Sequence, residues 1–467
     1  MGKPRRTTGA VDGHGDEVRP ARARHGSACR PKHERSNVSG LLHGPDPRRG
    51  LWRCAGGEPC GDAGLRGGAA SIRGEAPPQL HRLLGRHGNN DQSNNGGTVV
   101  AEKIRIGIVG ATVTPGGSGW GANAHVPALR AVPDFEIAAV CTAHEDTAKA
   151  SAAAFGVDLA FHNIDDMVAH PAVDMVVVCV RVPWHRDLVM AALRGGKPVF
   201  CEWPLGANLA EAEEMASFAR GRSLRTIVGL QGRSDPMVRY AHDLVADGYI
   251  GEVLTANLSV MTQATVERGG GRLWQRLSAN GANTLTIAGG HGIDAMCAII
   301  GEFSDVSARI TTRITEWFDM DAKQSVAVDA PDSISVGGRI VGGAEVSVQV
   351  AAVPVGASGS RLEIYGREGS LVLVSDGALS TGPNRFYGTK GREAAAEMPV
   401  PDKYVLVSEG TPTGSPRNVA QAYAGIADAW AGKPSSAPDF DLAVTRHRLI
   451  DAIGRSSREG RSISLQA

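Results

Sequence analysis

The stretch from Ile104 to Leu129 constrains this chain most. Ile104-Arg-Ile-Gly-Ile-Val-Gly110 reads as a buried strand. A glycine-rich turn with Pro115, Gly116, Gly117, Gly119 and Gly121 comes next, and His125-Val-Pro-Ala-Leu129 opens a helix. A short apolar strand, glycines and a helix start together form a phosphate cradle. Backbone N–H groups reach a pyrophosphate closely there, and the helix end adds roughly half a positive charge. The run therefore points to a dinucleotide. The spacing is loose, because an insertion separates Gly110 from Gly121, so the signal depends on the pattern of the next hundred residues.

That pattern is an alternation of strands and helices. Strands are expected over 136–142, 173–180, 198–201 and 225–230, with helices over 146–155, 186–194 and 209–220 between them. The second of these helices stops at Gly195-Gly196. The apolar run Val173–Val180 has the pattern of a parallel strand covered on both faces. This order implies an α/β Rossmann-type doubly wound parallel sheet, with its ligand beyond the strand C-termini. From about Ile250 the pattern changes to longer β-rich runs over 253–262, 304–314, 333–341, 344–353, 361–365 and 370–374. A helix over 282–300 interrupts them, and helices over 418–431 and 441–456 close the chain. These imply an α+β domain with a large open antiparallel or mixed sheet, whose uncovered face suits a sheet-to-sheet homodimer or homotetramer. The expected organisation is thus 1–100 as an extension, 101–232 as the dinucleotide-binding domain and 233–467 as the open-sheet domain, with its last helices packing back.

The extension is rich in Arg, Gly, Pro and His and shows no sustained period. It reads as disordered, either a basic tail or sequence upstream of a true start near Val99 or Val100. Net charge is zero, and the chain after residue 100 is net acidic, so neither nucleic acid nor an anionic membrane is an expected partner. No apolar run reaches the roughly 18–20 residues of a spanning helix. Arg5-Arg6 lacks the apolar stretch of an export signal. The seven cysteines have no metal-like spacing, and Cys141, Cys179 and Cys201 lie in strand-like runs, which suits reduced core thiols in the cytoplasm.

Further segments carry a resemblance. They are His185 with Ala191-Ala-Leu193, Gly195-Gly-Lys-Pro198, Glu202-Trp-Pro-Leu205, Gln231-Gly-Arg233, Ile250-Gly-Glu-Val253 and Gly289-Gly-His291 with Asp294. The end of the chain adds Asp439-Phe-Asp441, Arg446-His-Arg448 and Asp451-Ala-Ile453. In this order and spacing the chain from residue 103 to 467 resembles the Gfo/Idh/MocA family, a dinucleotide domain joined to an open-sheet domain that mostly oxidises sugars and polyols. The resemblance implies a Glu-Lys-Pro motif and an Asp four residues before a catalytic His. Here the Lys position holds Trp203 and the Asp position Ile287, which leaves His291 as the catalytic candidate. Val180-Arg181-Val182 stands where Thr-Pro-Asn is usual. The Glu-Trp-Pro replacement and the insertion before Gly119-Trp-Gly121 resemble the branch that includes the yeast galactose-regulon repressor, which binds a dinucleotide but regulates.

Cofactor-binding candidates are Gly110, Ala111, Gly119, Trp120, Gly121, Thr142, His144, Val180, Arg181, His185, Glu202, Trp203 and Pro204. Arg233, Trp274, Asn283 and Asp294 are candidates for the substrate side. Several have plain structural readings. Trp203 either packs over the cofactor pocket or stacks on a ring; Arg181 is either a surface residue or a cation facing ligand; Arg233 and Trp274 either pack or touch substrate. Cofactor choice rests on the end of the second strand, Cys141-Thr-Ala-His144. An acid there favours NAD, whereas a small hydroxyl beside a His leans toward NADP. Two functions stay open: an NAD(P)-dependent oxidoreductase with a rearranged site acting on a sugar, polyol or related carbonyl compound, or a redox-silent dinucleotide sensor. Nucleic-acid binding through the basic extension is a distant third.

Overall fold

The computed structural model describes residues 102–113, 119–433, 435 and 437–465. The extension, Cys29, Cys54, Cys60 and the turn residues Pro115, Gly116 and Gly117 lie outside these. The first sheet contains β1 (Ile104–Val109), β2 (Phe135–Cys141), β3 (Leu159–Phe161), β4 (Met175–Val178), β5 (Val199–Glu202) and β6 (Thr226–Gly229). Its strands are all parallel in the order β3-β2-β1-β4-β5-β6. Strand order reverses between β1 and β4, which opens a crevice at their C-terminal ends. Every residue of β4 is buried, as a central strand between helical layers requires.

The helices of this part are α1 (Val126–Ala131), α2 (Glu145–Phe155), α3 (Ile164–Ala169), α4 (His185–Arg194) and α5 (Leu209–Gly221). Asn163 and Asn208 cap α3 and α5 by accepting the N–H groups of Asp165 and Glu211. β3 and α3 are too short to stand out in the sequence. A turn of π pitch, Gly121–His125, precedes α1, a wide turn that often marks functional sites.

The second part opens with α6 (Pro236–Ala246), an element with no clear signal in the sequence. Asp235 caps it through the N–H groups of Met237 and Val238, and its other oxygen accepts from Asn384 and Asn418. Next come β7 (Val253–Gln263), β8 (Glu267–Arg268), α7 (Gly290–Ile300), β9 (Phe303–Thr311), β10 (Glu316–Asp319), β11 (Gln324–Ala327), β12 (Ser333–Ile340), β13 (Glu345–Val353), β14 (Gly359–Gly366), β15 (Gly369–Ser375), β16 (Asn384–Lys390) and β17 (Ala396–Glu397). The chain ends with α8 (Ser415–Trp430), α9 (Phe440–Glu459) and β18 (Ile463–Ser464). The large sheet runs β17-β16-β15-β14-β7-β13-β12-β9-β18, and β8, β10 and β11 form a small separate sheet. The large sheet is mixed, because β7 and β13 pair in parallel at its centre; alternation alone does not reveal strand direction. Alternate residues of β12 and β13 are buried, so one face meets the α6–α7 layer and the other remains open. α9 joins the two cores: Phe440, Ala443 and Val444 pack with the parallel sheet, while Leu449, Ala452 and Ile453 pack with the mixed one.

Candidate functional site

At the crevice, Gly110 leaves β1 with φ +93°. A Cβ there would lie 2.5 Å from Val180 Cγ1 and 2.6 Å from the Cys179 carbonyl oxygen. Only glycine fits both the conformation and the contact. Gly119 also has positive φ, and Gly121 packs its backbone against Ala111. Gly110, Ala111, Gly119, Trp120 and Gly121 thus border the C-terminal end of β1, with Val180 and Arg181 just past β4. Thr142 is buried past β2; its hydroxyl donates to the His144 carbonyl and meets the Thr147 hydroxyl at 2.6 Å. His144 is exposed and precedes α2, and Glu145 turns to Lys149. Arg181 is half-buried, and burial lowers its pKa.

The turn after β5 is held from several sides. His125 is fully buried, with Nδ1 2.8 Å from the Tyr423 hydroxyl and Nε2 2.8 Å from Glu202 Oε1. Burial opposes a charge on His125, while Cys179 and Glu202 favour it. The balance raises the imidazole pKa to about 10. His185 is buried, with Nδ1 2.8 Å from the Pro204 carbonyl and Nε2 3.1 Å from that of Val180. Burial lowers its pKa, and a neutral ring donates through one nitrogen only. His185 therefore sits between the Val180 carbonyl past β4 and the Pro204 carbonyl, next to the cis Trp203–Pro204 bond.

Trp203 lies inward. It is 5% exposed, its indole N–H donates to the Thr286 carbonyl at 2.7 Å, and its ring sits 4.8 Å from that of His447 on α9. Gly290 makes room for it, since a Cβ at that position would be 2.5 Å from the indole nitrogen. Trp203 is thus a packed aromatic that joins the end of β5 to α7 and α9.

His291 lies in the first turn of α7, after a second π turn at Leu285–Gly289. Its Nδ1 is buried with no hydrogen-bond partner among the described residues. Burial lowers its pKa, with Glu202 and Asp294 acting in the opposite sense, so the ring is neutral near pH 7 and has lone-pair capacity. Asn283 caps this turn by accepting the N–H groups of Leu285 and Thr286. Arg233 and Asp294 pair with each other at 2.9 Å. Asp294 also meets Arg446, a fully buried guanidinium that reaches Glu302 as well. Burial acts against the Arg446 charge, yet Cys297, Asp294 and Glu302 keep its pKa above the ordinary value. These two substrate-side candidates therefore form an ion-pair hub between α7 and α9. Trp274 is half-buried on a short helical turn beside Gln275.

Gln275 and Asn283 line a cavity of about 240 Å³, together with Arg268, Thr284, Ile287 and Trp317. Sequence reasoning found Ile287 and Asn283 but passed over Arg268, Gln275, Trp317, Tyr423 and Thr286. No motif marks these, since they converge from separate strands and turns. The four described cysteines are free and buried. Among the described residues there is no cluster of metal-ligating side chains and no helix long and apolar enough to cross a membrane.

Comparison with known proteins agrees with this arrangement. Residues 104–230 match the Gfo/Idh/MocA model, described as "Oxidoreductase family, NAD-binding Rossmann fold", and residues 236–375 match "Gal80p, C-terminal domain". The chain is 31% identical over 382 residues to the dehydrogenase aclE of Aspergillus oryzae, covering 78% of this chain and 99% of that protein. It is 26% identical to the galactose/lactose metabolism regulatory protein GAL80 of Kluyveromyces lactis, covering 81% and 99%. The solved structure of levoglucosan dehydrogenase in complex with NADH and L-sorbose shares the fold, with a TM-score of 0.68 at 20% identity over 78% of this chain and 99% of that one.

Proposed function

The chain belongs to the Gfo/Idh/MocA oxidoreductase family, with a Gal80-like C-terminal domain, and on that premise we propose a nicotinamide-dinucleotide-dependent oxidoreductase that acts on a sugar, polyol or related carbonyl compound. The orphaned Nδ1 of His291 carries this reading. A buried nitrogen without a partner costs about 1–3 kcal/mol, and a bound hydroxyl would relieve that cost. The residues fit a dinucleotide: Gly110, Ala111, Gly119, Trp120 and Gly121 border the pyrophosphate position, Val180 and Arg181 the far side of the crevice. The dinucleotide, when bound, accepts or delivers a hydride. His291, neutral near pH 7, exchanges the proton of the reacting oxygen. Glu202 and Pro204 hold the backbone turn, steadied by His125 and His185, and Trp203 excludes water behind it. The retained but solitary acid–base group makes this a rearranged site.

NADP is the favoured cofactor, since Thr142 and exposed His144 stand where an acid would hold an unphosphorylated ribose. Residues 101–232 hold the dinucleotide, and 233–467 supply the substrate side. A homodimer or homotetramer closes the open sheet face, which carries small polar side chains such as Asn257, Ser335 and Ser347. The four free thiols suit the cytoplasm, and nucleic acid is not a partner. A second reading has its own observation. Trp203 fills the usual Lys position and is anchored at both ends of its ring, which suits a redox-silent sensor.

One experiment separates the two. NADPH and NADH are titrated by nicotinamide fluorescence, and absorbance is then monitored with a panel of sugars, polyols, ketoses and lactones. Turnover that falls by about 10²–10⁴ in His291→Ala, with dinucleotide affinity kept, supports the enzyme. Tight binding with no turnover on any compound supports the sensor, and no binding of either dinucleotide ends both.

A further inference from the structure

The cavity on the sheet side of α7 holds a cation, Arg268, that no carboxylate meets among the described residues. Arg268 is half-buried; its Nε donates to the Thr265 carbonyl at 2.7 Å and one terminal nitrogen to Gln275 Oε1 at 2.8 Å. Its guanidinium carbon lies 3.6 Å from the centre of the Trp317 ring. None of these contacts is with a carboxylate. Burial and the neighbouring Arg272 lower its pKa to about 10, the sign of a charge lacking compensation. The other side chains reaching the cavity add donors: among the described residues, no bond engages the Asn283 amide NH₂ or that of Gln275.

One carboxylate, Asp332, shares the lining. Its oxygens accept the backbone N–H groups of Arg313 and Ile314 at 2.6–2.9 Å, so it is already occupied. The cavity shares one short chain segment with the acid–base candidate His291. Ile287 and Ala288 line it, Thr286 just before them anchors Trp203, and His291 comes after them on the same helix start.

We propose that this cavity recognises a carboxylate on the substrate, held by the free edge of the Arg268 fork, so that the compound presented to His291 is a sugar acid rather than a neutral sugar. This rests on the oxidoreductase reading for the role of His291. Arginine presents two parallel N–H donors that match a planar carboxylate. Trp317 holds the guanidinium plane in place, and Ile287 offers an apolar wall to the carbon skeleton.

The test titrates the full chain, with and without bound NADPH, against galacturonate and galactose, glucuronate and glucose, and gluconate and sorbitol. At least one acid is expected to bind roughly tenfold or more tightly than its neutral partner. Arg268→Met should erase that ratio without changing NADPH affinity. Arg268→Lys keeps the charge but not the fork, and should leave an intermediate ratio. An unaltered ratio in Arg268→Met, equal affinities in every pair, or no acid binding at all would overturn the proposal. Acid binding that persists without any dinucleotide binding would keep the anion site while removing the oxidoreductase reading, so the two fail separately.

Discussion

Glu202 and Trp203 are neighbours in sequence and face opposite kinds of surroundings. On the Glu202 side, both ring nitrogens of His125 have partners, in Glu202 and the Tyr423 hydroxyl, and Phe200 packs edge-on against the His125 ring. On the Trp203 side, His291 Nδ1 and His447 Nε2 are buried with no partner among the described residues. Buried polar groups are nearly always satisfied, so the exceptions call for a reason. The difference separates architecture from function: the partnered cluster holds the crevice in shape, and the unpartnered His291 Nδ1 marks the place where chemistry is proposed.

The largest break in this comparison is His125→Phe. It leaves Glu202 and the Tyr423 hydroxyl buried without their partner, and should lower stability by about 3 kcal/mol, read from the urea midpoint. A loss below about 1 kcal/mol would mean that the cluster is not structural. Next is Gly290→Ala, whose methyl would displace the Trp203 indole at a cost of about 1–3 kcal/mol. In a Trp203→Ala background the same change should cost close to nothing, and equal costs in both backgrounds would deny the pairing.

The pH dependence should separate the two sides further. The folded pKa of His125 is raised, so its stabilisation is complete below the unfolded value near 6.5 and is lost as pH rises toward about 10. His447 runs the other way. Its pKa is pushed down to about 4 by burial and by His185, so stability is present above about 6.5 and is lost as pH falls toward 4. Unfolding midpoints of wild type and His125→Gln should therefore converge at high pH, and parallel curves would refute the assignment. The smallest effect is His447→Phe. It retains a ring against Trp203 and removes an unsatisfied nitrogen, so it should be neutral or stabilising by up to about 1 kcal/mol. A clear loss of stability would show that the nitrogen has a partner after all.

Much of the first sheet is legible in the residues. The continuous burial of Met175–Val178 shows as an unbroken apolar run, and Gly195-Gly196 as a helix stop. β3, α3 and α6 are not, because short or mixed-polarity elements form only against neighbours already in place. The site divides similarly. His291, Trp203 and Ile287 stand out by position within a motif. That Arg233 and Asp294 neutralise each other, 61 residues apart, shows only once α7 lies beside the turn at Gln231–Ser234. Arg268, Gln275 and Trp317 likewise carry no local signal.

By itself the sequence determined the alternation of the main strands and helices of the first sheet and the glycine at the crevice. These arise from local sterics, from burial periodicity and from residue identity, each of which acts within a few positions of the chain. The tertiary structure alone decided that Trp203 turns inward to the Thr286 carbonyl, that the central pair of the mixed sheet is parallel, and that His291 keeps an unmet nitrogen. Those outcomes depend on which distant groups arrive within hydrogen-bond reach, and the long-range packing of α7 and α9 sets that distance.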